Sequence, residues 1–295
     1  MRMKLSVVSA VLVSVLPVAG ADSFYLKSGD RVVFYGDSIT DQRLYTVITE
    51  AYVATRYPSL DVTFVHSGWG GDKVSGGGGG PVDVRLTRDV IAYKPTVMTV
   101  MLGMNDGLYR AETEATDRAY FDGYRHIVDT IKSSIPSIRI TAIQPSPYDD
   151  VTRPAMFPGG YNQVLISFSK WIANYAEQNG LSVADLNTPV VAMLRRANEL
   201  DPVEAAKIIK DRVHPGFSGH LIMAEALLKA WNARPLVSSV AIDAGAKPKL
   251  ENAEHASVTE VAGGRDSPGQ PTRTPCLFRS LPGRAAGITG LCRWC

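Results

Sequence analysis

Thr96 to Leu102 reads Thr-Val-Met-Thr-Val-Met-Leu, a run with no charge and no clean alternation of polar and apolar side chains. A strand of that kind is buried on both faces, the situation of a central strand in a parallel sheet covered by helices above and below. Val32 to Tyr35 has the same β-branched and aromatic character, and Leu60 to Val65, Ile138 to Ile143 and Leu181 to Asp185 read as further short strands. Between them lie stretches suited to helices: the residues after Thr40 through about Arg56, then Val84 to Tyr93, Asp117 to Ser134, Tyr161 to Gln178 and Pro189 to Glu199. Strands and helices alternating in this way imply βαβ units and a parallel sheet with helices on both faces. In such sheets functional groups collect where the strands end at their carboxyl edge.

Three of these strand ends carry polar residues of interest. The first strand runs into Gly36-Asp37-Ser38-Ile39-Thr40, which puts Ser38 where a strand turns into a helix. A hydroxyl there lies near unpaired backbone N–H groups and the positive end of a helix. Two readings of Ser38 stand: a helix cap, a common role for serine, or a nucleophile. The second strand is closed by His66-Ser67-Gly68-Trp69-Gly70-Gly71-Asp72, and the Thr96 strand ends in Gly103-Met104-Asn105-Asp106. Five consecutive glycines, Gly76 to Gly80, lack the lysine and hydroxyl residue of a phosphate-binding loop and read as a loop at the rim of a site or simply on the surface.

A serine is a poor nucleophile until a base takes its proton and a third group holds that base. Asp211 and His214, three residues apart in Lys210-Asp211-Arg212-Val213-His214-Pro215, meet that need on one loop. The helix after it should bury Leu221, Ala224, Leu228 and Trp231 as one stripe. Donors for a developing oxyanion are available from the backbone N–H groups of Ser38 and Gly71 and the side-chain amide of Asn105.

Gly36-Asp37-Ser38-Ile39, Gly71, Gly103-Met104-Asn105-Asp106 and Asp211-Arg212-Val213-His214 resemble, in order, the four blocks of the GDSL/SGNH hydrolase superfamily, over roughly residues 30 to 232. The resemblance implies a flavodoxin-like three-layer α/β/α sandwich with a mostly parallel five-stranded sheet, and no metal or organic cofactor. It implies Ser38 as nucleophile, His214 as base and Asp211 as its orienting acid, with Ser38, Gly71 and Asn105 forming the oxyanion hole. One departure is His66, five residues before Gly71, where the family often has asparagine. Gly-x-Ser-x-Gly is absent around Ser38, because position 40 is threonine, which argues against the α/β-hydrolase elbow.

Other residues have quieter readings. Asp106 reads as structural, and His126, His220 and His255 as surface or packing histidines; His66 receives no role. Trp69, inside the second block, is a candidate for substrate binding. Tyr109, Tyr148 and Tyr161 are candidates to line the cleft or to serve as core.

Arg2 and Lys4 precede an uncharged run from Leu5 to Val18, followed by Ala19-Gly20-Ala21. This reads as a secretory signal over 1–21, with Asp22 as the mature start and a secreted or periplasmic destination. The run is shorter than the roughly 20 residues that span a bilayer. The catalytic domain is expected over 22–235, an appended β-like segment over 236–263 and a disordered tail, or an out-of-frame translation product, over 264–295. Without the signal and the tail, 24 basic and 28 acidic side chains remain, a net charge of −4, which is not the profile of a nucleic-acid-binding protein. Cys276, Cys292 and Cys295 all lie in the tail, so the main domain needs no disulfide and a four-thiolate zinc site is excluded. The function expected is a secreted serine esterase acting on small, short-chain acyl or acetyl carboxylic esters. Its rivals are a carbohydrate O-acetylesterase or lysophospholipase on the same scaffold, and a non-catalytic carbohydrate-binding or surface interaction protein. The partner expected is a small-molecule ester, with no nucleic acid and no membrane span.

Overall fold

The computed structural model describes residues 23–235, 238–243, 249–254 and 257–258. The signal reading at 1–21 and the tail with its three cysteines lie outside the described residues. In chain order the elements of the larger unit are β1 (Arg31–Gly36), α1 (Ser38–Asp41), α2 (Leu44–Arg56), β2 (Thr63–Gly68), β3 (Gly76–Gly77), β4 (Gly80–Pro81), α3 (Val82–Asp89), a 3-10 turn at Ile91–Tyr93, β5 (Val97–Met101), α4 (Glu114–Ser134), β6 (Arg139–Gln144), α5 (Tyr161–Asn179), β7 (Ser182–Asp185), α6 (Thr188–Leu200), α7 (Pro202–Ala205) and α8 (Phe217–Ala230).

Five strands form one sheet in the order β2-β1-β5-β6-β7, and every pairing is parallel. The uninterrupted apolar runs occupy its centre: Val97 to Met101 is buried at every position, and Val32 to Gly36 likewise. α4 and α5 meet in an aromatic seam in which Tyr120 stacks on Phe168 and Phe121 on Trp171. α8 runs beside α2 and α6, and Trp231 at its end donates from its indole to Thr141 Oγ1 on β6. The α/β/α reading therefore holds.

Several boundaries differ from expectation, each for a tertiary reason. β2 begins three residues later than Leu60 and runs on through His66, Ser67 and Gly68, because its ladder with β1 extends from Arg31–Thr63 to Gly36–Gly68. Gly68 permits this: a Cβ there would sit 2.1 Å from the Asp41 backbone nitrogen, so only glycine lets the strand end against α1. The helix expected after Thr40 is two helices, broken at Arg43, whose backbone is left-handed (φ 59). The five glycines form the tight hairpin β3–β4 in place of an open loop. Of the stripe expected after the histidine loop, Ala224, Leu228 and Trp231 are buried, but Leu221 is 47% exposed, and α8 also buries Gly219, His220, Met223 and Leu227.

The second compact unit begins at Arg234. Its described part is an antiparallel hairpin, β8 (Ser239–Asp243) with β9 (Lys249–Glu254), irregular between Ala241 and Ile242. Among the described residues, no helix is long and apolar enough to cross a membrane.

Candidate active site

Ser38 stands two residues past the carboxyl end of β1 as the first residue of α1. Asp37, not Ser38, caps that helix: its Oδ1 accepts the Ile39 N–H at 3.0 Å. The serine hydroxyl is thereby left for another partner. A Cβ on Gly36 would lie 2.2 Å from Thr40 Oγ1 and 2.7 Å from Met101 O, so the turn into Ser38 can close only with glycine.

The partner is His214, whose Nε2 lies 2.8 Å from Ser38 Oγ. On the other side of the ring, Nδ1 lies 2.6 Å from Asp211 Oδ2. An ionised carboxylate can only accept, so Nδ1–H donates to Asp211 and Nε2 is left as the acceptor for the serine hydroxyl. Asp211 Oδ1 also accepts the backbone N–H groups of Val213 and His214, at 3.0 and 2.8 Å. Burial works to raise the Asp211 carboxyl, but the His214 and Val213 hydrogen bonds outweigh it and hold the group below its ordinary value.

The loop carrying Asp211 and His214 is clamped from the segment after β6. Arg153 donates to the carbonyls of Ala206, Ile209 and Lys210 and reaches the buried Asp149. Arg212, between acid and base in a left-handed conformation (φ 73), donates to Pro154 O at 2.9 Å and lies over the Tyr148 ring.

Gly71 (φ 72) and Asn105 lie on loops joined through one residue: Asn105 Nδ2 donates to Asp72 O at 2.9 Å. Tyr109 donates its hydroxyl to Asn105 Oδ1 at 2.8 Å. Asp106 has the structural place expected of it, accepting the Val74 N–H at 2.9 Å. Trp69 is 41% exposed, with the guanidinium groups of Arg85 and Arg88 at 5.6 and 5.3 Å from its ring centre. Among the described residues, no group of three or more His, Cys, Asp or Glu side chains could hold a metal ion.

Residues 34–222 match the family model described as "GDSL-like Lipase/Acylhydrolase family". The chain belongs to that family. Among proteins resembling this GDSL-like chain, an acetylxylan esterase from Geobacillus stearothermophilus is 25% identical over 226 residues, covering 68% of this chain and 94% of the esterase. The crystal structure of Axe2, an acetylxylan esterase from Geobacillus stearothermophilus, superimposes with a TM-score of 0.56 over 72% of this chain and 100% of its own, at 22% identity, a likeness of fold. A gut microbial diltiazem-metabolizing enzyme superimposes with a TM-score of 0.69 at 28% identity, over 81% of this chain and 55% of its own. The chain thus spans just over half the length of that protein.

Three contributors to this GDSL-like site are not apparent from sequence. Asp37 takes the cap that the sequence equally offers to Ser38. Arg85 is fully buried, pairing with Asp72 at 2.7 Å and with Asp89, and donating to Ser67 O at 3.0 Å. Its one signal is a charge on the same helical face as Leu86 and Asp89. For Arg153 the one local partner is Asp149, four residues earlier; the backbone carbonyls that it holds on the histidine loop are more than fifty positions away and leave no mark in the sequence around it.

Proposed function

We propose that the chain is a secreted serine esterase that hydrolyses short-chain carboxylic esters, acetyl esters first among them, through an acyl-enzyme. The observation that carries this reading is the continuous hydrogen-bonded line from Ser38 Oγ through the His214 ring to Asp211. In this mechanism Ser38 Oγ attacks the ester carbonyl carbon as its proton passes to His214 Nε2. The carbonyl oxygen becomes an oxyanion, received by the Ser38 and Gly71 backbone N–H groups and the Asn105 amide. When the tetrahedral species collapses, the carbon–alkoxy bond breaks and the leaving alcohol takes the proton from His214. Water then attacks the acyl-enzyme, giving its proton to His214; the acid leaves and Ser38 Oγ recovers its hydrogen. Asp211 stays ionised throughout and stabilises the imidazolium. Secretion rests on the signal-like stretch over 1–21.

A second reading narrows the substrate to O-acetylated carbohydrate. It is supported by the name of the acetylxylan esterase relative and by the exposed Trp69 ring two residues from Gly71. Aromatic faces of this kind suit the apolar face of a sugar ring.

The test is turnover of p-nitrophenyl acetate by wild type and Ser38→Ala. The variant should lose roughly 10⁴-fold or more in kcat; a variant at the wild-type rate refutes the mechanism. Acyl chains of increasing length and acetylated xylo-oligosaccharides, compared by kcat/KM, decide between the two substrate readings.

A further inference from the structure

Asn105 can donate toward a substrate oxygen only when its amide is turned the right way, and a side-chain amide presents donors on one side and an acceptor on the other. Both ends of this amide are committed. Nδ2 gives one N–H to Asp72 O, and Oδ1 accepts the Tyr109 hydroxyl. Since Asp72 O can only accept, the two bonds agree on a single orientation, and the second Nδ2 hydrogen is left for a ligand.

The backbone that delivers Tyr109 is unusual. Leu108 and Tyr109 are consecutive left-handed residues, with φ of 55 and 56, and neither is glycine. Residues with side chains avoid that region, and such backbone persists only where the surroundings over-determine it. Here the surroundings are aromatic. The Tyr109 ring packs on Tyr161 at 5.0 Å and on Tyr148 at 6.1 Å, and those two meet edge to face at 5.2 Å. Tyr161 in turn donates to Met104 O, the carbonyl preceding Asn105, at 2.6 Å. One three-ring cluster thus holds both the backbone and the side chain of Asn105.

We infer that Tyr109 is a positioning residue for the esterase reaction: its hydroxyl, through Asn105 Oδ1, holds the amide in the orientation that presents Nδ2 to the oxyanion. The inference rests on the reading of Asn105 as an oxyanion donor.

The test is a double-mutant cycle of Tyr109→Phe and Asn105→Ala, with kcat and KM for p-nitrophenyl acetate and a thermal melt for each protein. Asn105→Ala should lower kcat roughly a hundredfold. Tyr109→Phe, which keeps the ring packing, should lower kcat about tenfold with KM within about twofold and the melting temperature close to wild type. The double variant should be no slower than Asn105→Ala alone, because the hydroxyl then has nothing to orient. A Tyr109→Phe enzyme with wild-type kcat overturns the inference and leaves the Asn105 reading intact. So does a double variant slowed by the product of the two single effects, or a Tyr109→Phe loss that tracks only its unfolded fraction. Asn105→Ala at the wild-type rate overturns both.

Discussion

Asp37 and Asp106 flank the proposed nucleophile and oxyanion donor as carboxyls taken almost wholly out of water. Asp37 accepts the Ile39 N–H and Asp106 accepts the Val74 N–H. Burial pushes both carboxyls up to about 7, and the Asp106 and Asp72 charges raise Asp37 further. The unfolded chain releases such a proton near pH 4, so between about pH 4 and 7 the folded state binds more protons than the unfolded one. The stability these groups contribute is therefore full at acid pH and is lost as pH rises through 7. Asp106→Asn keeps an acceptor for Val74 N–H and cannot ionise. Urea unfolding at pH 5 and pH 8 should show wild-type stability falling across that interval and a shallower fall in the variant. Equal falls in the two proteins would rule out Asp106 as a source of the slope.

Among the secondary-structure elements, α2 shows how α1 and α8 are held together. Its N-cap, Arg43, makes no side-chain cap, which leaves first-turn N–H groups seeking acceptors. Tyr45 N–H finds one across the fold in His220 Nδ1 on α8, at 3.3 Å. The imidazole Nε2 faces Gln42 Oε1, at 2.8 Å, just past the helix that begins with Ser38. One neutral histidine tautomer satisfies both, accepting at Nδ1 and donating at Nε2. Burial and the neighbouring His214 lower the His220 pKa from 6.5 to about 4. Between those values the unfolded state binds more protons, so this stability is present above about pH 6.5 and is lost as pH falls through 4, opposite in sign to the Asp106 effect. His220→Asn retains an acceptor in the Nδ1 position and does not titrate. It should be less stable than wild type at pH 7 yet lose less on going to pH 5; a loss as large as the wild type's would exonerate His220. The elements themselves were legible where a continuous apolar run or a helical stripe fixed them, as in β5 and α5. They were misjudged where a partner element decided the outcome: the end of β2 depends on α1, the break at Arg43 on the turn into α2, and the exposed side of α8 on its packing with α2.

At the scale of the molecule, the carboxyl edge of the sheet is a set of loops that must hold fixed distances from one another. The residues proposed for the site could be picked out because each motif is local: Gly36-Asp37-Ser38, Gly71, Asn105 and Asp211-Arg212-Val213-His214 each occupy a few consecutive residues after a strand or before a helix. What keeps the motifs in place was not legible, because it consists of long-range bonds from arginines to main-chain carbonyls. Arg153 and Arg212 join the segment after β6 to the histidine loop. Arg85 does the equivalent on the other side, between the ends of β1 and β2, where its guanidinium lies over the Tyr35 ring at 4.9 Å and donates to Ser67 O. Its carboxylate partner Asp72 is fully buried and carries the carbonyl that receives the Asn105 amide. A buried ion pair adds little over an apolar replacement of both partners, but removing one partner strands the other charge away from water. Arg85→Leu should therefore cost about 3–5 kcal/mol in unfolding free energy. Adding Asp72→Asn should recover part of that loss, since the stranded charge is then gone. Asp89, at the same guanidinium but 18% exposed, keeps its pairing with Arg88 when Arg85 is removed. Guanidinium chloride unfolding of the single and double variants measures both effects. If the double variant is no more stable than Arg85→Leu, the stranded Asp72 charge is not the origin of the loss, and Arg85 acts through its carbonyl and ring contacts alone.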